Sequence, residues 1–109
     1  MEQTAGRRDA EASDGALDAL SALAVTVSGL YADRFGTPVD ARFALMKLAE
    51  ETGELTGAWL QVQGEGRGTA TRDDLTDEIA DVLGFLLVLA AREGIDPAAA
   101  LRRKWGGHL

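Results

Sequence analysis

The stretch KLAEETGEL, residues 47–55, and a second stretch, DEIADVLGF at residues 77–85, decide the fold of this chain. Each stretch holds a pair of acids three residues apart among apolar residues. These acids are Glu51 and Glu54, followed by Glu78 and Asp81. Residues three apart lie on the same side of a helix, so each pair can converge on one point. On helical wheels at about 100° per residue, all four acids lie within or beside the apolar, core-facing side.

Inward-facing carboxylates need a positive partner. An unpaired buried charge costs several kcal/mol, and neighbouring like charges add to that cost. Lys47 lies nearby on the first wheel, but a single lysine cannot neutralise four carboxylates. A divalent cation can. Because all donors are oxygens and the chain has no cysteine, the pattern predicts Mg²⁺, with Mn²⁺ as a substitute, held by these acids between facing helices.

The rest of the sequence predicts an all-α fold, a bundle of four helices per chain of which three are long and one is short. Apolar residues recur at helical spacing from residue 14 to a stop at Gly36, and Thr37-Pro38-Val39-Asp40 offers a start for the second helix, which runs to Val62. The glycine-rich segment 63–70 predicts a loop. The third helix follows Thr71 and ends near Gly94, and the fourth covers residues 98–105. No segment alternates with period two, so we expect no sheet.

Composition limits the kinds of partner. Residues 1–12 lack apolar periodicity and predict a disordered tail, so residues 13–109 are expected to form a single domain. The net charge of −7 disfavours nucleic-acid binding. The polar N-terminus is unlike a secretory signal, and there is no uninterrupted apolar run of about 18 residues. We therefore expect a cytoplasmic protein that binds no membrane.

The third helix predicts self-association. Residues 82–91 are apolar nearly all round, so this helix must be covered on more than one side. A chain with three substantial helices does not provide enough cover. We expect oligomerisation to complete the bundle, as a homodimer with the third helix near the interface, or as a tetramer.

The acidic pattern also carries a family resemblance. Residues 50–54 read EETGE, and after 23 further residues 78–81 read EIAD. With their flanks and the segment 94–104, they resemble the MazG-type all-alpha nucleoside triphosphate pyrophosphohydrolases over about residues 43–104. The resemblance implies hydrolysis between the α- and β-phosphates, with release of a nucleoside monophosphate and pyrophosphate.

The resemblance extends to further site residues. Glu50 is the candidate for orienting or deprotonating the attacking water. Lys47 is either a phosphate contact or an ion-pair partner of Glu51. The family's matching helix carries a lysine at the position of Lys104, and related enzymes place an aromatic residue at that of Phe85.

The other two candidates for substrate binding are less specific. Arg103 belongs to the same basic cluster as Lys104. A basic cluster at the end of a helix is explained by the helix macrodipole about as well as by substrate binding. Trp59 is either a core residue or a platform that stacks on a base.

Three functions compete at this stage. The first is nucleotide-pool cleansing by hydrolysis of a canonical or altered nucleoside triphosphate, such as dCTP or dUTP. The second is hydrolysis of phosphoribosyl-ATP in histidine biosynthesis, although the flank of residues 78–84 matches those enzymes less well. The third is a non-catalytic helical interaction module in which metal only adds stability. A solvated, salt-bridged helix face is the structural alternative for the acids.

Overall fold

The computed structural model describes residues 15–109 in full, and residues 2–14 only as backbone of the first helix. The elements in chain order are α1 (Glu2–Phe35), α2 (Ala41–Val62), α3 (Arg72–Arg92), α4 (Pro97–Trp105) and a 3₁₀ turn (Gly106–His108). No strand occurs in the described residues, so the predicted all-α fold with three long helices and one short helix is confirmed. The predicted tail, residues 1–12, lies outside the fully described part and stays a prediction.

The start of α2 differs from the prediction. α1 ends before Gly36, which adopts a φ of +67°, a conformation that favours glycine. The helix does not resume at Thr37. Asp40 caps α2 instead, and its carboxylate accepts a hydrogen bond of 2.9 Å from the backbone N–H of Phe43. Residues 37–40 stay non-helical because Val39, 5% exposed, belongs to the core.

The two later helix starts agree with the sequence. Thr71 and Asp74 form a reciprocal capping box at the start of α3. Asp96 accepts hydrogen bonds from the first turn of α4, where Pro97 occupies the first helical position. The loop between α2 and α3 contains three glycines with positive φ. These are Gly64, Gly66 and Gly68.

The antiparallel pair α2 and α3 forms the main packing unit, and α1 packs against α3. The core joins Val39, Ala44 and Val88, with apolar residues of α1 against them. Arg92 donates a hydrogen bond of 3.1 Å from Nε to the carbonyl oxygen of Val39, which ties the end of α3 to the start of α2. This arrangement places the middle of α2 beside the middle of α3, where the predicted acids lie.

A large apolar surface remains exposed on this chain. Large hydrophobic side chains that are at least 40% exposed occur on every helix. On the three long helices they include Leu20, Leu23, Val27, Leu30, Tyr31, Phe35, Leu45, Met46, Trp59, Ile79, Leu83 and Leu86. Among the described residues, one segment is long and apolar enough to cross a membrane: Gly15–Phe35 of α1, with a mean hydropathy of 1.4. Core helices of soluble proteins also meet these two criteria. It contains the charged residues Asp18, Asp33 and Arg34.

Candidate active site

The four predicted acids come together where α2 and α3 pack. One carboxylate oxygen from each of Glu51, Glu78 and Asp81 lies within 4.8 Å of the others. Oxygens of Glu51 and Glu54 form a second group at the same spacing, together with Glu50. Glu51 is common to both groups and therefore connects the two helices. We call Glu51, Glu54, Glu78 and Asp81 the acid cluster.

Burial makes Glu51 and Glu78 costly without a cation. Glu54 and Asp81, which the helical wheels also placed on the core-facing side, are exposed, so the inward position was predicted correctly for only part of the acid cluster. Glu51 is only 8% exposed. One carboxylate oxygen of Glu51 and one of Glu78 are fully buried and accept no hydrogen bond. Buried charged oxygens without partners are strongly unfavourable, whereas a hard divalent cation binds carboxylate oxygens at this kind of spacing. The residues present therefore fit a site for Mg²⁺ or Mn²⁺.

The pKa of Glu51 reflects its burial and the nearby acids. The pKa of its carboxyl group is raised from 4.5 to about 7. Burial is the largest cause, followed by hydrogen bonding with Glu54 and its charge, and then by Glu78 and Asp81. In the absence of a cation, the Glu51 carboxyl group is therefore partly protonated at neutral pH.

Lys47 is the cation nearest to the acid cluster. Its Nζ lies 3.3 Å from a carboxylate oxygen of Glu50 and 3.8 Å from one of Glu51. Burial lowers the Lys47 pKa, but the hydrogen bond to Glu50 and the charges of Glu50 and Glu51 outweigh this effect and raise it overall. The lysine therefore stays positively charged. The predicted ion pair with Glu51 is present, and Glu50 is a second partner that the sequence had not indicated.

A cavity of about 370 Å³ opens beside the acid cluster, between α1, α2 and α3. Its polar end is lined by Lys47, Glu51 and Asp81. The rest of the lining is mainly apolar and aromatic. It comprises Ala24, Val27, Ser28, Tyr31, Val39, Phe43, Ala80, Gly84, Phe85 and Val88. We call this space the main cavity; it combines a polar end, where one lysine lies beside two acids, with a mainly apolar and aromatic region, a combination typical of ligand sites.

Two of the predicted substrate-binding residues fall into different surroundings. Phe85 lines the main cavity, and its ring lies 5.9 Å from Lys47 Nζ. Trp59 lies instead in a separate apolar groove on α2 and α3 and is 49% exposed. The groove is lined by Leu55, Thr56, Trp59, Leu60, Leu75 and Ile79, and we call it the Trp59 groove. Trp59 is thus neither a core residue nor part of the main cavity.

The basic residues of α4 do not reach the acid cluster in this chain. Arg103 and Lys104 are exposed, and α4 makes no extensive contact with α1, α2 or α3. Neither residue forms an ion pair with any of the described residues. The single chain therefore leaves these two predicted contacts away from the site.

Sequence reasoning missed two aromatic residues of the main cavity, Tyr31 and Phe43. Their ring centroids are 6.1 Å apart, so they form one side of the cavity. A signal for Phe43 exists, because Phe43, Lys47 and Glu51 follow one another at four-residue spacing on the same side of α2. Tyr31 has no such signal, since its position depends on how α1 crosses the helix pair.

Comparison with known proteins identifies the family. The profile of the family described as phosphoribosyl-ATP pyrophosphohydrolase matches residues 31–103, about two thirds of the chain. No curated protein and no solved structure matches the chain. The matched range contains the acid cluster, Lys47 and the aromatic residues of the main cavity. The chain therefore belongs to the phosphoribosyl-ATP pyrophosphohydrolase family, within the superfamily of MazG-like all-α pyrophosphohydrolases, which hydrolyse phosphoric anhydrides.

Proposed function

We propose that this chain is a magnesium-dependent hydrolase that cleaves a nucleoside triphosphate between its α- and β-phosphates and releases a nucleoside monophosphate and pyrophosphate. One observation carries the proposal: carboxylate oxygens of Glu51, Glu78 and Asp81 lie within 4.8 Å of one another beside a cavity with an aromatic lining, and one oxygen each of Glu51 and Glu78 is buried without a hydrogen-bond partner. Such a site suits a cation that binds a polyphosphate while the cavity accepts the base.

The acid cluster provides the ligands for this cation. Glu51, Glu78 and Asp81 would hold it from two helices, and Glu54 would add a further oxygen from α2. A bound Mg²⁺ supplies positive charge to the phosphate oxygens and lowers the pKa of a coordinated water. The acids fix this charge at the polar end of the main cavity, where the triphosphate would lie.

Lys47 and Glu50 complete the chemistry in this proposal. Lys47 lines the main cavity and, because its pKa is raised, remains a cation that can contact a phosphate oxygen. The side chain of Glu50 is 56% exposed and hydrogen-bonds to Lys47, which leaves carboxylate oxygen accessible to water. Glu50 would orient that water or accept its proton.

Phosphoribosyl-ATP is the second candidate substrate, and the name of the matching family favours it. As its name says, it carries an additional phosphorylated ribose, whose phosphate needs a second cationic contact. Among the described residues that line the main cavity, Lys47 is the only cation. A single cation in the lining supports a simple nucleoside triphosphate as the substrate, and with it a role in cleansing the nucleotide pool in the cytoplasm.

We also infer that the working form is a homodimer. Ile79, Leu83 and Leu86 form a stripe on α3 at three- and four-residue spacing, and each is at least 40% exposed. The apolar face of α1 is similarly exposed. Contiguous apolar surface on this scale marks an association site, and a second copy of the chain is its proposed occupant, with a tetramer as the larger alternative.

A nucleotide panel tests the proposed reaction. Purified protein with Mg²⁺ would be incubated with the common ribo- and deoxyribonucleoside triphosphates, modified dNTPs and phosphoribosyl-ATP, and pyrophosphate release would be measured. Reaction in ¹⁸O-labelled water, followed by mass spectrometry of both products, shows which phosphorus atom the water attacks. We expect turnover of a simple triphosphate, dependence on added Mg²⁺, and ¹⁸O in one product only.

Two outcomes would contradict this proposal. If phosphoribosyl-ATP is hydrolysed far faster than every simple triphosphate, the reaction class stands but the substrate is wrong. If no nucleotide releases pyrophosphate while Mg²⁺ still raises the melting temperature, the chain is a metal-stabilised interaction module.

A further inference from the structure

Gly84 occupies the interior of α3, where glycine is an unfavourable residue. The helix runs from Arg72 to Arg92, so Gly84 is far from both caps. Glycine in a helix interior is destabilising relative to alanine, because it loses more backbone freedom on folding. Its φ is not positive, unlike that of turn glycines such as Gly36 and Gly94, so the backbone conformation does not require glycine here.

Packing within the chain does not explain Gly84 either. Apart from its chain neighbours and its own helix backbone, no heavy atom of the described residues would lie within 4 Å of a β-carbon at this position. A glycine that permits close helix packing would have atoms of the neighbouring helix inside this distance. Within the part of the chain that the structure describes, no helix therefore uses the space beside Gly84.

The space beside Gly84 belongs to the main cavity. Gly84 lines this cavity together with Ala80, about one turn earlier on α3, and Val88, about one turn later. Asp81 of the acid cluster precedes Gly84 by three residues, which is about 4.5 Å along the helix axis. The cavity wall beside Asp81 is therefore formed by an alanine and a glycine, which leave room next to the acid cluster.

A nucleotide bound as proposed would bring its sugar to this room. Its phosphates would lie at the polar end of the main cavity, and the sugar is the group attached directly to them. Because Gly84 lies about one helical turn from Asp81, the sugar would contact α3 at Gly84, and the base would lie farther along the aromatic lining. A side chain at position 84 would project into the space that the sugar needs.

We propose that Gly84 is a specificity-determining residue whose missing side chain leaves the space for the sugar of the nucleotide. It thereby contributes to the affinity for nucleotides but not to the affinity for inorganic polyphosphates. The inference rests on the proposed function, because that function places the phosphates at the acid cluster. It adds that α3 contains a residue unfavourable to the helix because the shape of the main cavity requires it.

Two substitutions test this role through binding, without turnover. Gly84→Ala adds a methyl group to the cavity, and Gly84→Val adds an isopropyl group. The probes for titration calorimetry are inorganic pyrophosphate and the α,β-imido analogues of dUTP, dCTP and ATP, each with Mg²⁺. We expect the dissociation constants of the analogues to rise about 10-fold for Gly84→Ala and about 100-fold for Gly84→Val, because the added groups overfill the occupied cavity. The dissociation constant of pyrophosphate should stay the same, since pyrophosphate has no sugar.

Stability distinguishes this role from a structural one. Without ligand, Gly84→Ala should raise the melting temperature by about 4 °C, because alanine is the better helix residue and its β-carbon meets no described atom. Gly57→Ala is the matched control. Gly57 also lies inside a long helix with free space around it, but it does not line the main cavity. This variant should raise the melting temperature by a similar amount and leave the binding of every probe unchanged.

Three results would overturn the inference about Gly84 alone. Equal affinity of the wild type and both Gly84 variants for the analogues means that the sugar lies elsewhere. An equal loss of affinity for pyrophosphate means that the variants act on the acid cluster. A lower melting temperature of Gly84→Ala means that packing, for instance against a second copy of the chain, uses the space. Failure of the proposed function is a different result, because the wild-type protein itself would then bind none of the analogues with Mg²⁺, and the inference would fall with it.

Discussion

The two faces of α3 differ in the kinds of side chain that they carry. The face turned toward α1 and α2 carries Asp81 beside Phe85 and the main cavity. The opposite face carries Leu83 and Leu86, which are 40% and 45% exposed. A helix of a soluble monomer normally turns its large apolar residues inward, whereas Leu83 and Leu86 are exposed. Under the proposed function, the inner face would hold a cation and the outer face would contact a second copy of the chain.

The largest effect is expected on the inner face. Asp81→Asn keeps the shape of the side chain but removes a negative oxygen ligand from the acid cluster. Because metal-based charge stabilisation contributes several kcal/mol to the transition state, we expect kcat to fall about 10²- to 10³-fold. Pyrophosphate release at saturating Mg²⁺ measures this. The matched control is Asp77→Asn, an exposed acid one turn earlier on α3, which should retain wild-type kcat.

The outer face of α3 provides the next test. Leu83→Glu places a charge in the middle of the exposed apolar stripe, where a dimer would bury it without a partner. We expect the dimer dissociation constant to rise about 100-fold, equal to about 3 kcal/mol. Light scattering over a concentration series measures it. Ala91→Glu adds the same charge at an exposed position of α3 outside the stripe and should leave the dimer intact. A wild-type protein that is monomeric at micromolar concentration would contradict the interface.

The inner face can also be examined through pH. The pKa of Glu51 is about 7 in the folded protein and 4.5 in the reference state. Because the folded state binds this proton more tightly, the contribution to stability is complete below pH 4.5 and is lost as pH rises to 7. From pH 5.5 to pH 8, the metal-free protein should therefore lose about 2 kcal/mol of unfolding free energy from this group.

Urea denaturation in EDTA at the two pH values tests this linkage. Glu51→Gln should remove most of the difference, whereas Asp77→Asn should not. Added Mg²⁺ should raise the stability at pH 8, since a bound cation stabilises the ionised carboxylates. A pH dependence that is the same in Glu51→Gln and in the wild type would show that self-repulsion of the whole acidic chain, not Glu51, is responsible.

The sequence predicts well those features that depend on local signals. Helical periodicity and the caps at Thr71 and Asp96 are local signals, and both helix starts agree with the structure. Placing Glu51 on an inward face required only the spacing of the apolar residues around it, whereas Asp81, also predicted to face inward, is exposed. The starts of α3 and α4 and the inward position of Glu51 therefore follow from residues close together in the chain.

Features that depend on tertiary packing were not predictable in the same way. Thr37 and Asp40 are both good caps, and the burial of Val39 in the core decides between them. Trp59 fits an apolar stripe on the wheel, but its side chain is 49% exposed. Tyr31 joins the main cavity only because α1 crosses the helix pair at that point. For Asp40 and for Tyr31, the deciding contact comes from another element of the fold.

The smallest predicted effect concerns the N-terminal cap of α3. This cap fixes where the helix begins. Thr71 accepts a hydrogen bond from the backbone N–H of Asp74, and Asp74 accepts one from that of Thr71. Thr71→Ala should cost about 1 kcal/mol of unfolding free energy, measured by urea denaturation. The matched control is Thr76→Ala, which removes a hydroxyl bonded only to a carbonyl of its own helix and should change stability by less than about 0.5 kcal/mol. Equal losses from the two variants would mean that the capping box contributes no more than an ordinary helix position.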